Sequence, residues 1–227
     1  MNLDLLAEYG PRMVKGLVLS LQLVVIATLL AALLALPLAL CRNSRNRLLS
    51  VPARAYIAFF RGTPLLAQLF FVYYGAAEFR LPLQAAGLWW LFKDAYPCAV
   101  LAFVLNTLAF QAEILRGALG SLPSGQREAA LSLGLGTMPT LFRVLLPQAL
   151  IVALRPLGNE FVLLLKATAV ASIITVPDLM QATRIAYART YQFEVYLWAA
   201  ALYLVVIEAV RRLWLLGERR LTRHLHA

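Results

Sequence analysis

Charge is scarce in this chain, and what there is leans one way. Only 14% of its 227 residues are charged, while 62% are hydrophobic. A soluble domain carries about 25% charged residues. The shortage excludes an ordinary water-soluble fold. With a mean hydropathy of +0.75, it points to a helical bundle inside a bilayer. Lys and Arg total 21 against 11 Asp and Glu, a formal net charge of +10. The bases cluster between and after apolar stretches, which marks cytoplasmic loops and not a nucleic-acid surface. Cysteine is nearly missing. Cys41 and Cys98 lie in or beside separate stretches and make no CxxC pair, so redox and metal chemistry have no support. There is no Walker-type phosphate loop, no Ser-His-Asp set and no zinc spacing. The chain is read as a non-enzyme without cofactor or metal, which does not hydrolyse ATP itself. His224 and His226 fall in a basic tail. With no linker, low-complexity tract or tandem repeat, residues 1–227 read as one domain with a core at about 16–214. The N-terminal segment carries Asp4 and Glu8 but no basic n-region, so the first span is expected to be a retained anchor.

The apolar stretches give five expected spans. Residues 16–40 are uncharged, and a helix of that length exceeds a hydrocarbon core of about 30 Å. Pro37 is expected to kink or finish it. Arg42, Arg45, Arg47 and Arg54 follow, so that loop is placed in the cytoplasm and the N-terminus outside. The second span, about 55–77, is interrupted by Arg61-Gly62-Thr63-Pro64 and is expected to be broken or bent. The third runs from about 95 to 118. A polar loop at about 120–147 comes next, inside again. Ser124 is suited to cap a short helix there and Gly134 to stop it. The fourth span is expected to start near Pro147, with a helix break at Arg155-Pro156. Residues 167–177 are apolar but too short to cross, and read as re-entrant or interfacial. The last span is about 195–213. Arg211, Arg212, Arg219, Arg220 and Arg223 place the C-terminus inside. One connection fits poorly: Lys166, Arg184 and Arg189 fall on the outer side against the charge rule. Phe70, Phe71, Tyr73 and Tyr74, with Trp89, Trp90 and Phe92, read as headgroup belts.

The polar loop holds the most specific pattern. Glu128-Ala129-Ala130 is followed by Gly134 and then by Val144-Leu145-Leu146-Pro147. Small side chains let a short helix seat deeply in a partner, Glu128 offers a charge, and Gly134 permits a sharp reversal. Spacing and identity resemble the "EAA…G…I-LP" loop of bacterial ABC-importer permeases, with Val144 in place of the usual Ile. Gly16-Leu17 with Leu19-Ser20-Leu21, Arg61-Gly62-Thr63-Pro64-Leu65-Leu66-Ala67-Gln68, and Ala112-Glu113-Ile114-Leu115-Arg116-Gly117 are similar to the polar-amino-acid branch. Many members of that branch read Lys-Asp-Thr-Ser where this chain has Lys166-Ala167-Thr168-Ala169. That departure, with Asn159-Glu160-Phe161, Val176-Pro177-Asp178-Leu179 and Thr190-Tyr191-Gln192, resembles the M-type subunit of the histidine/lysine/arginine/ornithine and octopine importers. The resemblance implies an all-α membrane protein of the type-I ABC importer permease class, a five-span helical bundle with a cytoplasmic coupling helix between spans 3 and 4. It implies an inner-membrane location, a pair of ATP-binding subunits, a second, Q-like permease subunit and a periplasmic substrate-binding protein.

Polar residues inside spans need a reason, because lipid exposure of a charge costs several kcal/mol. Glu160 is read two ways: it meets a cationic group on a substrate, with Asn159 beside it, or it pairs internally with Arg155 or Lys166. Gln68 is read as lining the same cavity or as an interhelical hydrogen bond. Glu113 is expected to form a gate contact or structural pair with Arg116, and Arg61 to pair with it or snorkel. The expected function is ATP-driven import of polar, cationic amino acids or opines, coupled through Glu128, Ala129, Ala130, Gly134 and Pro147. The rival is an ion-coupled secondary transporter, which would show more spans and inverted repeats.

Overall fold

The computed structural model describes residues 3–222; Arg223, His224 and His226 lie outside them. Among the described residues all regular structure is helical. Helix α1 (Leu3–Arg42) is far longer than the expected first span. It runs unbroken through Pro37, so that proline neither ends it nor marks a boundary. One face of α1 carries Ala27, Ala31, Ala35 and Ala39, all essentially inaccessible, at a spacing of four. Ala31, Ala35 and Ala39 cluster with Ala109 and Ala112 of α5 (Ala95–Gly120), and Ala27 with Ala99 and Ala102 of the same helix. Small residues let two backbones approach where no hydrophobic effect drives helices together. The opposite face, with Leu29, Leu33 and Leu34, is exposed and suits lipid. The α1–α5 pair is the most extensively packed in the fold.

Helix α2 (Arg47–Gly62) and α3 (Leu65–Glu78) are one broken element, their axes turned by 106°. The short α4 (Arg80–Ala85) follows. Near it Arg80 lies over the Trp89 ring, while Phe71, Tyr74 and Trp90 are exposed. Helix α6 (Ser124–Ser132) lies between α5 and the next long helical run. Ser124 is its first helical residue and makes no capping bond; Pro123 holds the cap position. Gly134 adopts φ +79°, a conformation glycine alone takes freely, and Leu135 N–H donates back to the Ala130 carbonyl at 3.1 Å.

The fourth apolar run starts earlier than expected. Helix α7 (Thr137–Pro139) leads through a π turn (Thr140–Leu145) into α8 (Leu146–Ala167) and a 3-10 segment (Thr168–Ile174). Pro147 does stand in the first turn of α8, as expected, but the π turn before it carries the helical run back to Thr137. Pro156 sits within α8 without breaking it. Residues 168–174 are no separate re-entrant hairpin: they extend α8, and Thr168, Ala171, Ser172 and Ile174 are buried. Among the described residues three helical runs are long and apolar enough to cross a bilayer, or four if the bent α2–α3 pair counts as one span.

Helix α9 (Leu179–Thr190) and the start of α10 (Glu194–Leu221) close on the N-terminal half of α1, joining Leu5 and Tyr9 to Ala186 and Val195. The approach is tightest at Gly16, where a Cβ would lie 2.6 Å from the Asp178 carbonyl oxygen. Ser20 Oγ donates to the Gly16 carbonyl at 3.1 Å beside that crossing.

Candidate functional site

The α2–α3 break follows from Pro64. Proline has no N–H and pushes the residue before it out of the helical region, and Thr63 is extended at φ −114°, ψ 147°. The missing donor orphans the carbonyl four residues back, that of Phe60. Two side-chain amides replace it. Gln68 Nε2 donates to Phe60 O at 2.9 Å and reaches Thr63 O at 3.0 Å and Thr63 Oγ1 at 2.8 Å. Asn106 Nδ2, from α5, donates to Phe60 O at 3.1 Å and to Gln68 Oε1 at 3.0 Å. Gln68 thus serves as the interhelical bond of the two readings, and it does not line the cleft beside it.

That cleft, of about 550 Å³ and partly open, is lined by Thr63, Leu65, Asn106, Phe110, Glu160 and Leu163. Glu160 is 8% exposed. Its Oε1 accepts from Thr107 Oγ1 at 2.7 Å, and its Oε2 has no partner. A buried carboxylate oxygen left unsatisfied is costly. Glu160 makes no ion pair among the described residues. Arg155 points elsewhere and bonds Glu218 of α10 at 2.5 Å. Lys166 is exposed. Asn159 does not share the cleft: it lies on the other face of α8, with Arg155 and Trp214. There the Trp214 indole covers Gly158, leaving no room for a Cβ, and donates to the Leu154 carbonyl at 2.9 Å.

A second polar cluster ties the far end of α1 to α5. Glu113 accepts from Arg42 at 2.7 Å and from Arg116 at 2.7 Å. Arg61 is not a partner of Glu113; its guanidinium lies 5.3 Å from the Phe110 ring centroid. Helix α6 packs on the π turn that leads into α8; Glu128 and Ala129 are exposed on it, while Ala130 is buried. Leu133 (83% exposed), Met138 and Phe142 leave apolar surface uncovered around it.

The family described as "Binding-protein-dependent transport system inner membrane component" matches residues 15–222. The chain belongs to that family. It is an inner-membrane transport component and not an enzyme, which also displaces the rival, an ion-coupled secondary transporter. This permease is 38% identical to the nopaline transport system permease protein NocM of Agrobacterium fabrum, over 100% of its own length and 95% of that protein's. It is 41% identical to the octopine permease OccM of Rhizobium radiobacter, covering 91% of this chain and 84% of the other. With the histidine/lysine/arginine/ornithine permease HisM of Escherichia coli K12 the identity is 37%, over 92% and 88%. A solved amino acid ABC transporter with histidines superposes with a TM-score of 0.84 at 34% identity, covering 97% of this chain and 99% of the other. The methionine transporter MetNI, at 20% identity and TM-score 0.77, shares the fold.

Three participants in the permease's site escaped the sequence reading: Asn106, Thr107 and Arg42. The first two are neighbouring polar residues within the uncharged core of the third span, and polar side chains there usually have partners. That signal was present. Arg42 gave none, because its partner is 71 positions away.

Proposed function

We propose that this permease passes a polar amino acid bearing a cationic group, an arginine-like substrate or an opine, along the cleft at Glu160. One observation carries the reading: Glu160 Oε2 is buried, unpartnered and beside an open cleft. A cationic head group supplies the missing partner, Asn106 and Thr63 add polar contacts, and Leu65, Phe110 and Leu163 suit an aliphatic stem. The names of the relatives, built on nopaline, octopine and basic amino acids, support the same cargo class.

In this reading α10 is the fifth span. It is 28 residues long, but Glu208, Arg211 and Arg212 interrupt its apolar run. The N-terminus is periplasmic and the C-terminus cytoplasmic, so the Arg42 end faces the cytoplasm. Helix α6 is then the handle gripped by one of two ATP-binding subunits. Glu128 and Ala129 face the partner, Ala130 seats the helix on the permease, Gly134 turns the chain back, and Pro147 begins the stiff part of the span. The exposed Leu133, Met138 and Phe142 are apolar surface for the same partner. Helix α6 packs on the π turn that runs into α8, so motion of the handle passes to α8 and from there to α5, which Glu113, held by Arg42 and Arg116, ties to α1. A Q-like second permease chain covers the Arg155–Asn159 face of α8, and a periplasmic binding protein delivers cargo opposite α6. ATP closes its subunits and shifts the bundle between inward- and outward-open states by differential affinity.

The test is Glu160→Gln in the reconstituted complex, with uptake of arginine and of a neutral amino acid in parallel. The amide keeps the shape and removes the charge. A charge-assisted bond contributes about 1.5–3 kcal/mol, so arginine uptake falls roughly 10- to 100-fold with little change for the neutral cargo. Equal loss for both cargos refutes recognition of charge at Glu160.

A further inference from the structure

We propose that the cleft between the N-terminal half of α1 and α9 is a binding site for one anionic phospholipid in the leaflet remote from α6. The cleft is about 920 Å³. Its floor is apolar, including Leu19, Ala182 and Ile185, and its rim carries Arg12, Lys15 and Arg189. All three bases are exposed and make no ion pair among the described residues. Glu8, one turn from Arg12, is exposed and does not line the cleft. Asp178, at the base of α9, is fully buried, with one oxygen accepting from Gln181 N–H at 2.8 Å.

Position decides the kind of ligand. Arg12 and Lys15 stand immediately before the uncharged stretch that begins at Gly16, so they sit at the membrane interface with the apolar floor on the hydrocarbon side. Arg189 reaches the same rim from the other helix. A phosphate on three free bases with an acyl chain along the floor satisfies both halves of the site, as basic pockets between membrane helices do for anionic head groups. This also accounts for a basic connection on the side where the charge rule expects few bases: Arg189 is retained there by a ligand. An acidic protein surface would match the bases but leave the apolar floor empty.

The experiment is native mass spectrometry of the purified complex in mild detergent, offered equal phosphatidylglycerol and phosphatidylcholine of the same chains. At about 1 kcal/mol per base, wild type retains phosphatidylglycerol in preference by on the order of 100-fold. The combined Arg12→Gln, Lys15→Gln, Arg189→Gln variant drops that preference to within about 3-fold, and Arg189→Gln alone lowers it about 5-fold. Retained partner subunits show that the variants are folded, and Arg12→Lys with Arg189→Lys keeps the preference. An undiminished preference in the triple variant overturns the site. So does displacement of the lipid by excess glycerol phosphate, which would mean that phosphate alone is read. A triple variant that keeps the preference but loses stimulation by the binding protein makes the rim a protein dock and also refutes the lipid. The orientation rests on the reading in the preceding subsection, but lipid selection is measured without transport. A complex that selects the lipid and fails to import sinks that reading and leaves this one standing.

Discussion

The broken helix offers a test in which two effects of opposite sign compete. Pro64 orphans the Phe60 carbonyl, and Gln68 and Asn106 both donate to it, at 2.9 and 3.1 Å. Gln68→Leu keeps volume and removes the amide. An amide has two N–H groups, so of the three acceptors near Nε2 at most two are fully bonded. With the bond from Asn106 to Oε1, the side chain holds about three bonds. At about 0.6 kcal/mol per polar contact between membrane helices, its loss costs about 2 kcal/mol. Asn106→Leu removes two bonds, about 1 kcal/mol on the same scale. The pair share one direct bond, so combining the variants should be milder than the sum by about 0.6 kcal/mol. But each single variant leaves the other amide on Phe60 O, and only the double variant strips it. An unsatisfied buried carbonyl costs about 1–3 kcal/mol, and even the low end, which suits this part-buried group, outweighs the shared bond. The double variant is therefore worse than additive by about 0.5 kcal/mol or more. Unfolding of the complex by titration with a denaturing detergent measures this as a double-mutant cycle. Additivity within about 0.3 kcal/mol, or a milder double variant, refutes the claim that both amides guard one carbonyl.

Two further outcomes concern packing and the handle. Gly16→Val brings a side chain against the Asp178 backbone, so α1 and α9 must separate; the loss is about 1–3 kcal/mol in the same titration, whereas Gly217→Ala, inside α10 with open space around it, costs nothing and gains up to about 1 kcal/mol of helix propensity. Glu128→Lys reverses an exposed charge on α6 and Gly134→Asp forces φ +79° on a side chain; both leave the bundle folded and ATP hydrolysis measurable but cut uptake per ATP at least several-fold, and normal coupling in the pair removes α6 as the handle.

What could be read from sequence was punctuation and composition. Arg61-Gly62-Thr63-Pro64 announced a break because proline acts on its own backbone and on the residue before it, and the 106° bend is there. Gly134 announced a reversal for the same local reason. Two other prolines end no helix. Pro37 and Pro156 stay within long helices, because packing and a bilayer that rewards internal backbone bonding override a single lost donor. The helices extend beyond the span limits read at Gly16 and Pro147, because apolar content marks where a helix crosses and not where it begins: α1 starts at Leu3, and the run that holds α8 starts at Thr137.

The pairing of Asn159 with Glu160 failed for a geometric reason that carries further than this site. Neighbours on a helix point about 100° apart, whereas residues four and seven apart share a face. Glu160 therefore belongs with Leu163, Leu164 and Ala167, which line its cleft, and Asn159 with Arg155 and Val162, which line the other. The two faces of α8 are chemically unlike. One holds a carboxylate that is buried and short of a partner; the other holds Arg155, already neutralised by Glu218 from α10. Both acids leave one buried oxygen without a partner, but Glu218 of α10 spends its charge on Arg155, whereas Glu160, on α8 itself, lines a cleft and has no base beside it among the described residues. On the proposed reading a cation drawn into the bundle is held at Glu160, and Arg155, on the opposite face and paired with Glu218, does not compete with it.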